Sequence, residues 1–322
     1  MELRICLGKL GAALICNVAF RRIVKSANVM IVIRLTGGLG NQMFQYAFGR
    51  ATANRLGVEM RLDLSDSTLS IHQGYELKRV FGIEAKIATE SDMANVLGWQ
   101  RPEAVRKALK KLRLTALFVK GLVEEPHFHF SAKMLHVPDK TYLNGYWQSE
   151  KYFKSVAEYI RNEFKFYKPP SAVNKVLLQE IADANTTAIS LHVRRGDYVH
   201  NQAVSQVHGN CSLEYYHAAI QYVLQRVQSP LFYVFSDDMD WVRNHLEMPF
   251  PHKLITHNRG ESSYEDMRLM SLCQHHIIAN SSFSWWGAWL NANPKKLVIA
   301  PKNWFADESR PHDLFPDGWV AL

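Results

Sequence analysis

Two adjacent arginines and an acid stand together in Ala188-Ile-Ser-Leu-His-Val-Arg-Arg-Gly-Asp-Tyr198. An apolar run precedes Arg194, Arg195 and Asp197, the pattern of a buried strand that releases charge at its carboxyl end. In an open α/β sheet ligands gather at that end, and the planar guanidinium fork matches a pair of phosphate oxygens. His192, inside the strand's last turn of the pleat, either orients the arginine loop or is a buried, hydrogen-bonded histidine. The competing reading of Arg-Gly-Asp is a surface turn with solvated arginines.

Two further segments end strands in polar groups. Pro230-Leu-Phe-Tyr-Val-Phe-Ser-Asp-Asp-Met-Asp-Trp241 delivers Ser236, Asp237, Asp238 and Asp240. These acids either favour the first turn of a helix, where the macrodipole welcomes them, or receive the ring N–H and amino group that guanine offers on one edge. His276-Ile-Ile-Ala-Asn280 empties into Ser281-Ser-Phe-Ser-Trp-Trp-Gly-Ala-Trp-Leu290. Ser281, Ser282 and Phe283 would open a helix whose N-terminal N–H groups attract an anion, unless the hydroxyls only cap it. Phe283, Trp285, Trp286 and Trp289 fall at helical spacing, which usually fills a core. Upstream, Ser262 with Glu265 reads as a capping box for a helix through Leu272.

Near the start, Met30-Ile-Val-Ile-Arg-Leu-Thr-Gly-Gly-Leu-Gly-Asn-Gln-Met-Phe-Gln45 reads as strand, glycine turn and helix. Gly37, Gly38 and Gly40 permit a close backbone approach, and Asn41 and Gln42 place amide donors and acceptors at the turn. A dinucleotide fingerprint is the rival reading, since Gly38-Leu-Gly40 begins one and Asp63 closes the next strand. Met43 stands where its third small residue should be.

Taken in order, Gly37-Gly-Leu-Gly-Asn-Gln42, His192-Val-Arg-Arg-Gly-Asp197, Phe235-Ser-Asp-Asp238 and Asn280-Ser-Ser-Phe-Ser-Trp-Trp286 resemble the glycosyltransferase family 11 α-1,2-fucosyltransferases, from about Met30 to Trp304. The paired-arginine motif is shared with α-1,6-fucosyltransferases and, more loosely, with protein O-fucosyltransferases. The resemblance implies a GT-B enzyme, two Rossmann-like α/β domains facing across a cleft, that takes fucose from GDP-β-L-fucose with inversion, needs no metal and holds no cofactor beyond the donor. It implies that Arg194, with Arg195 nearby, and the helix opening at Ser281 and Ser282 hold the departing diphosphate, and that Asn41 reaches across the cleft to the fucose or the attacking oxygen. Asp238-Met-Asp240, which alone has the Asp-x-Asp spacing of a metal clamp, falls in the segment given to the nucleotide. Asp197 is read as positioning the arginines. In the α-1,6 enzymes an acid a few residues on is implicated as base; here Gln202 occupies about that place, so the base stays open among Asp197, His200 and an N-terminal acid.

The elements that must position these groups follow from periodicity. After Phe166-Tyr-Lys-Pro-Pro-Ser-Ala172, where two prolines forbid helix and a short linker would let domains close, strands at Ile189–Val193, Leu231–Phe235, His276–Ala279 and Leu297–Ala300 alternate with helices, as a parallel sheet requires. We expect a leader at 1–29, an acceptor-side domain at 30–168 and a GDP-fucose domain at 169–322. A chain of 322 residues, 47% hydrophobic, can fill two such cores.

The net charge is +8, and half of that excess lies in residues 1–28. The leader, apolar from Ile5 to Phe20 but interrupted by Lys9, is short for a membrane span, and a start assigned too early is its preferred reading. The densest basic run of the body, Arg101 to Lys120, carries Val105, Ala108, Leu109, Leu112 and Ala116 at helical spacing. It either lies on an anionic membrane near a lipid-linked or other oligosaccharide acceptor or is a solvated helix. No nucleic-acid recognition motif accompanies the charge. With only Cys211 and Cys273 beyond the leader there is no disulfide framework, which fits a cytoplasmic enzyme, peripheral at most on the inner face of the membrane. A GDP-sugar transferase of another linkage is the alternative; a nicotinamide oxidoreductase and a non-catalytic glycan-binding protein are remote ones.

Overall fold

The computed structural model describes residues 29–183, 185–196, 209–307 and 313–322. The first half runs β1 (Met30–Arg34), α1 (Leu39–Leu56), β2 (Glu59–Asp63), α2 (Thr68–Ile71), α3 (Glu76–Phe81), β3 (Lys86–Ile87), α4 (Glu90–Leu97), α5 (Glu103–Lys111), β4 (Leu122–Glu124), β5 (Thr141–Asn144) and α6 (Ala157–Glu163). The second runs α7 (Ala172–Ile181), β6 (Thr187–Val193), α8 (Leu213–Leu224), β7 (Pro230–Ser236), α9 (Met239–His245), β8 (His252–Ile255), α10 (Tyr264–Leu272), β9 (His275–Ile277), α11 (Ser282–Leu290), β10 (Val298–Ala300) and β11 (Val320–Ala321).

The strands form two sheets, β3-β2-β1-β5-β4 and β11-β10-β9-β6-β7-β8, parallel throughout. Parallel sheets are covered on both faces, which is why β1 and β6 read as nearly unbroken apolar runs. Strand order reverses between β1 and β5 in one sheet and between β6 and β9 in the other, and such a reversal opens a crevice at the carboxyl ends. The expected α/β architecture of two Rossmann-like sheets is therefore present.

The sheets lie on either side of residues 166–172, yet the two halves share one core. Phe44 on α1 sits 4.5 Å and 4.9 Å, ring to ring, from Trp285 and Trp286 on α11, and Phe153 stacks on Trp286 at 5.5 Å. A buried indole N–H needs an acceptor. Trp286 donates to Gly40 O at 3.0 Å, Trp289 to Glu150 at 2.8 Å and Trp285 to Leu314 O at 2.7 Å. The core reading of the tryptophans is thus the observed one, with α11 as the element both halves pack against. The linker is pinned rather than loose: Tyr167 N–H donates to Val80 O, Arg268 donates to Lys168 O, and Phe166 stacks on Tyr264.

Two local expectations fail. The capping box at Ser262 is absent because Ser262 Oγ donates backward to Arg259 O, and α10 begins at Tyr264 with no side-chain cap. The basic helix ends at Lys111, short of its periodicity, because Arg113 turns left-handed (φ 57°) and Leu114 N–H closes onto Leu109 O.

Candidate active site

The arginine loop leaves β6 where Val193 pairs with Ser236 at the end of β7. That register sets Asp237 against the loop. Its carboxylate accepts the backbone N–H groups of Arg195 and Gly196, both at 2.9 Å, and meets the Arg194 guanidinium at 3.1 Å. Gly196 is needed for this latch, since a Cβ there would stand 2.7 Å from Asp237 Oδ2. Asp238 caps α9, its Oδ1 accepting Trp241 N–H at 3.0 Å, while Ser236 Oγ accepts Asp238 N–H at 3.0 Å. The first-turn reading of the acids therefore describes Asp238. Arg195 lies over Trp241, its guanidinium carbon 4.1 Å from the ring centre, with Asp238 3.7 Å away. Arg194, paired with Asp237, is partly exposed.

Ser281, the N-cap of α11, accepts Phe283 N–H at 3.3 Å. Leu191 pairs with Ile277, so the arginine loop and the Ser281–Ser282 turn leave neighbouring strand ends, about 5 Å apart at the spacing of a sheet. His192 is buried between them with its ring 6.0 Å from Phe283. Burial pushes its pKa down to about 4 against the pull of Asp237, so the imidazole is neutral near pH 7. Its Nδ1 meets no hydrogen-bond partner among the described residues.

The other half brings its own crevice to the same place. Gly37 takes a positive φ of 73°, and its N–H donates to Thr68 Oγ1 at 2.9 Å. Gly40 faces the other half: a Cβ would stand 2.6 Å from the Ser282 carbonyl carbon and 2.8 Å from Phe283 N. Gly38 caps α1 and lies against His72. Asn41 points its Oδ1 at Gln148 Nε2, 2.9 Å away on the chain leaving β5. Gln42 is fully buried and committed to structure: it donates to Gly37 O and Gly74 O and accepts from Glu76 N–H.

This geometry removes the dinucleotide reading. The glycine turn abuts Ser282, and Asp63, which would have to hold a ribose, accepts Tyr142 OH at 2.6 Å and Ser65 N–H at 2.9 Å.

Several groups were not visible in the sequence. Asp266 lies at the start of α10 with Oδ1 accepting Asn258 Nδ2 at 2.8 Å, and Asn258 in turn bonds Asn174, which bonds His257. Burial raises the Asp266 pKa to about 7, against that hydrogen bond and the charge of Arg259. Arg259 reaches Ser236 O at 3.3 Å, so this enclosed carboxyl stands beyond the ends of β7 and β8. Its partners come from three separated segments with no common spacing, so no motif announces it. Gln148 and Glu125 are similar cases. Glu125 accepts Tyr146 N–H at 2.6 Å and Trp147 N–H at 3.0 Å in the turn carrying Gln148, and burial raises its pKa. Asp197, His200 and Gln202 lie outside the described residues. Among the described residues no three His, Cys, Asp or Glu side chains gather as metal ligands would, and no helix is long and apolar enough to cross a membrane.

The sequence profile of Glycosyl transferase family 11 matches residues 84–322. An α-1,2-colitosyltransferase of Escherichia coli is 34% identical over 300 residues, covering 91% of this chain and 99% of that protein. The O-antigen biosynthesis glycosyltransferase WbnK of Escherichia coli is 32% identical over 312 residues, covering 89% and 99%. A galactoside α-(1,2)-fucosyltransferase 1 of Aotus azarae is 29% identical over 192 residues, covering 56% and 52%.

Proposed function

This chain belongs to glycosyl transferase family 11 and is a glycosyltransferase, and we propose that it transfers L-fucose from GDP-β-L-fucose, with inversion, to the 2-hydroxyl of a terminal β-galactoside in a glycan. The observation that carries the reading is the latch of Asp237 on the Arg194–Gly196 loop, beside the start of α11 and opposite Asn41.

The reaction must stabilise a departing GDP anion while positive charge grows at the anomeric carbon. Arg194 and the N-terminus of α11 are suited to the diphosphate, because donors held rigidly before reaction cost no reorganisation during it. Asp237 serves by positioning: with both oxygens engaged by the loop, it fixes the guanidinium. Its own carboxylate is then a poor candidate for guanine, and Asp266, whose Oδ2 no described residue engages, is the better one. Neutral His192 can orient or hydrogen-bond the donor without adding charge. Asn41, held by Gln148, meets the sugar from the other half, where the acceptor approaches the face opposite the leaving group, as inversion needs. The base comes from Asp197, His200 or an N-terminal acid such as Glu125, whose pKa burial raises. We place the reaction on the cytoplasmic side, on oligosaccharide or lipid-linked precursors, without a metal.

A second reading has a specific support, since one relative is named a colitosyltransferase. Colitose is fucose lacking the 3-hydroxyl, so the donor choice rests on whether a buried group pairs with that hydroxyl; a site built to do so rejects the deoxy analogue by about 10⁴-fold or more. The test is transfer from GDP-fucose and GDP-colitose to a panel of β-galactosides, with products read by mass spectrometry and linkage by NMR. One deoxyhexose gained on the galactose 2-hydroxyl supports the first reading and colitose alone the second. A protein that binds GDP but transfers neither sugar contradicts both donors, and one that does not bind GDP contradicts the nucleotide site itself.

A further inference from the structure

Beyond the cleft, the N-terminal half carries a surface the transfer chemistry does not use. Trp99, Leu112, Leu114 and Leu117 are 60%, 65%, 44% and 54% exposed. They come from two stretches that fully buried Gln100 joins, donating to Leu117 O at 2.6 Å and accepting Val119 N–H at 3.1 Å. Among the basic residues around them, Lys107 and Lys110 are paired with Glu103 and Glu124. Lys111, Arg113 and Lys120 are exposed and have no acidic partner among the described residues. Arg113 also occupies the left-handed position that ends α5, where glycine costs least and a side chain costs about 1 kcal/mol or more. A cation projects from that turn between Leu112 and Leu114.

Exposed leucines and a tryptophan with unpaired cations beside them in the chain match an anionic bilayer, whose head groups take the charges and whose boundary takes the apolar tips. The helix that carries part of the patch also borders the carboxyl ends of the N-terminal strands. Glu103, at the start of α5, holds Arg34 at the carboxyl end of β1 at 3.1 Å, and Lys110, near its end, holds Glu124 at the carboxyl end of β4 at 3.2 Å. α5 therefore lies across the cleft end of the N-terminal sheet.

We propose that the surface formed by Trp99, Leu112, Leu114 and Leu117 with Lys111, Arg113 and Lys120 seats the protein on an anionic membrane, with the N-terminal crevice toward the lipid surface. The proposal does not depend on which sugar is transferred, because vesicle binding is measured with no nucleotide present.

The test is flotation of the full chain with phosphatidylcholine vesicles, with and without phosphatidylglycerol. We expect binding only with phosphatidylglycerol, weakened by salt. Neutralising three cations in K111Q/R113Q/K120Q should lower the partition coefficient about a hundredfold, at roughly a factor of five per basic residue. L112S/L117S should weaken binding at low salt while keeping its salt dependence. Both variants change exposed side chains, and an unaltered melting temperature checks that they fold. Each shares residues 1–28 with the parent, so a difference reports the patch. Undiminished binding of both variants, equal binding to phosphatidylcholine alone, or no vesicle binding by the parent would each overturn the proposal, the last pointing instead to a protein partner.

Discussion

Gly40→Ala should cripple transfer while leaving the protein folded. The added Cβ would meet the Ser282 carbonyl carbon at 2.6 Å, Ser282 Oγ at 2.7 Å and Phe283 N at 2.8 Å. Ordinary contact begins near 3.4 Å, so α1 and the start of α11 must separate by about 0.8 Å. Overpacking of this kind costs about 1–3 kcal/mol, and the better helix propensity of alanine returns up to about 1 kcal/mol. The net loss is about 0–3 kcal/mol, a shift of at most several degrees in Tm for a chain of this size. The effect on catalysis is larger, because a misplacement near 1 Å between reacting groups costs about a hundredfold. Here the shift acts directly between the half that carries Asn41 and the helix start beside Arg194. Gly49→Ala is the control: it lies in the same helix, and its Cβ would meet the Met60 sulfur at 2.6 Å and Ile33 Cγ2 at 3.1 Å, contacts inside the N-terminal half that leave the seam with α11 alone. We expect kcat to fall about a hundredfold in Gly40→Ala and to stay near wild type in Gly49→Ala, measured by GDP release with thermal melts alongside. Equal kcat in the two variants would show that the contact between the halves does not set the site's geometry.

Arg194→Ala should remain folded, since Asp237 keeps its two backbone partners, but lose about a hundredfold or more in kcat; wild-type turnover in a steady-state assay would remove the leaving-group argument. Asp266, an acid whose folded pKa is raised to about 7 from 3.8, binds more protons folded than unfolded between those values. The stability it contributes is therefore present at low pH and lost as pH rises from about 4 to about 7. GDP affinity should instead climb through pH 7 as the carboxylate forms, and calorimetry of Asp266→Asn should show that slope flattened; an unchanged slope excludes Asp266 from nucleotide binding. The transfer rate should be insensitive to EDTA, whereas an enzyme silenced by EDTA and restored by manganese would require Asp238 and Asp240 to be reassigned.

The strand ends are legible in the order of residues alone. Apolar runs that stop at Arg194, Asp237 and Ser281 place those groups at the carboxyl edge of one parallel sheet, because strand direction and the right-handed crossover leave little choice. That order also marked Gly40 as a point of close approach and the tryptophans as core, since missing side chains and helical spacing are local signals. What each group touches is set by folding. Asp237 is indistinguishable from Asp238 in sequence, and the pairing of Val193 with Ser236 makes one a latch for the arginine loop and the other a helix cap. Gln42 looked like a ligand donor and is a buried tie. The periodicity of 101–120 promised one helix, and a left-handed Arg113 split it, leaving leucines and cations exposed together. The enclosed carboxyl of Asp266 has no sequence signature, because a pKa is set by the dielectric and partners that folding assembles from distant segments, and spacing along the chain carries no record of either.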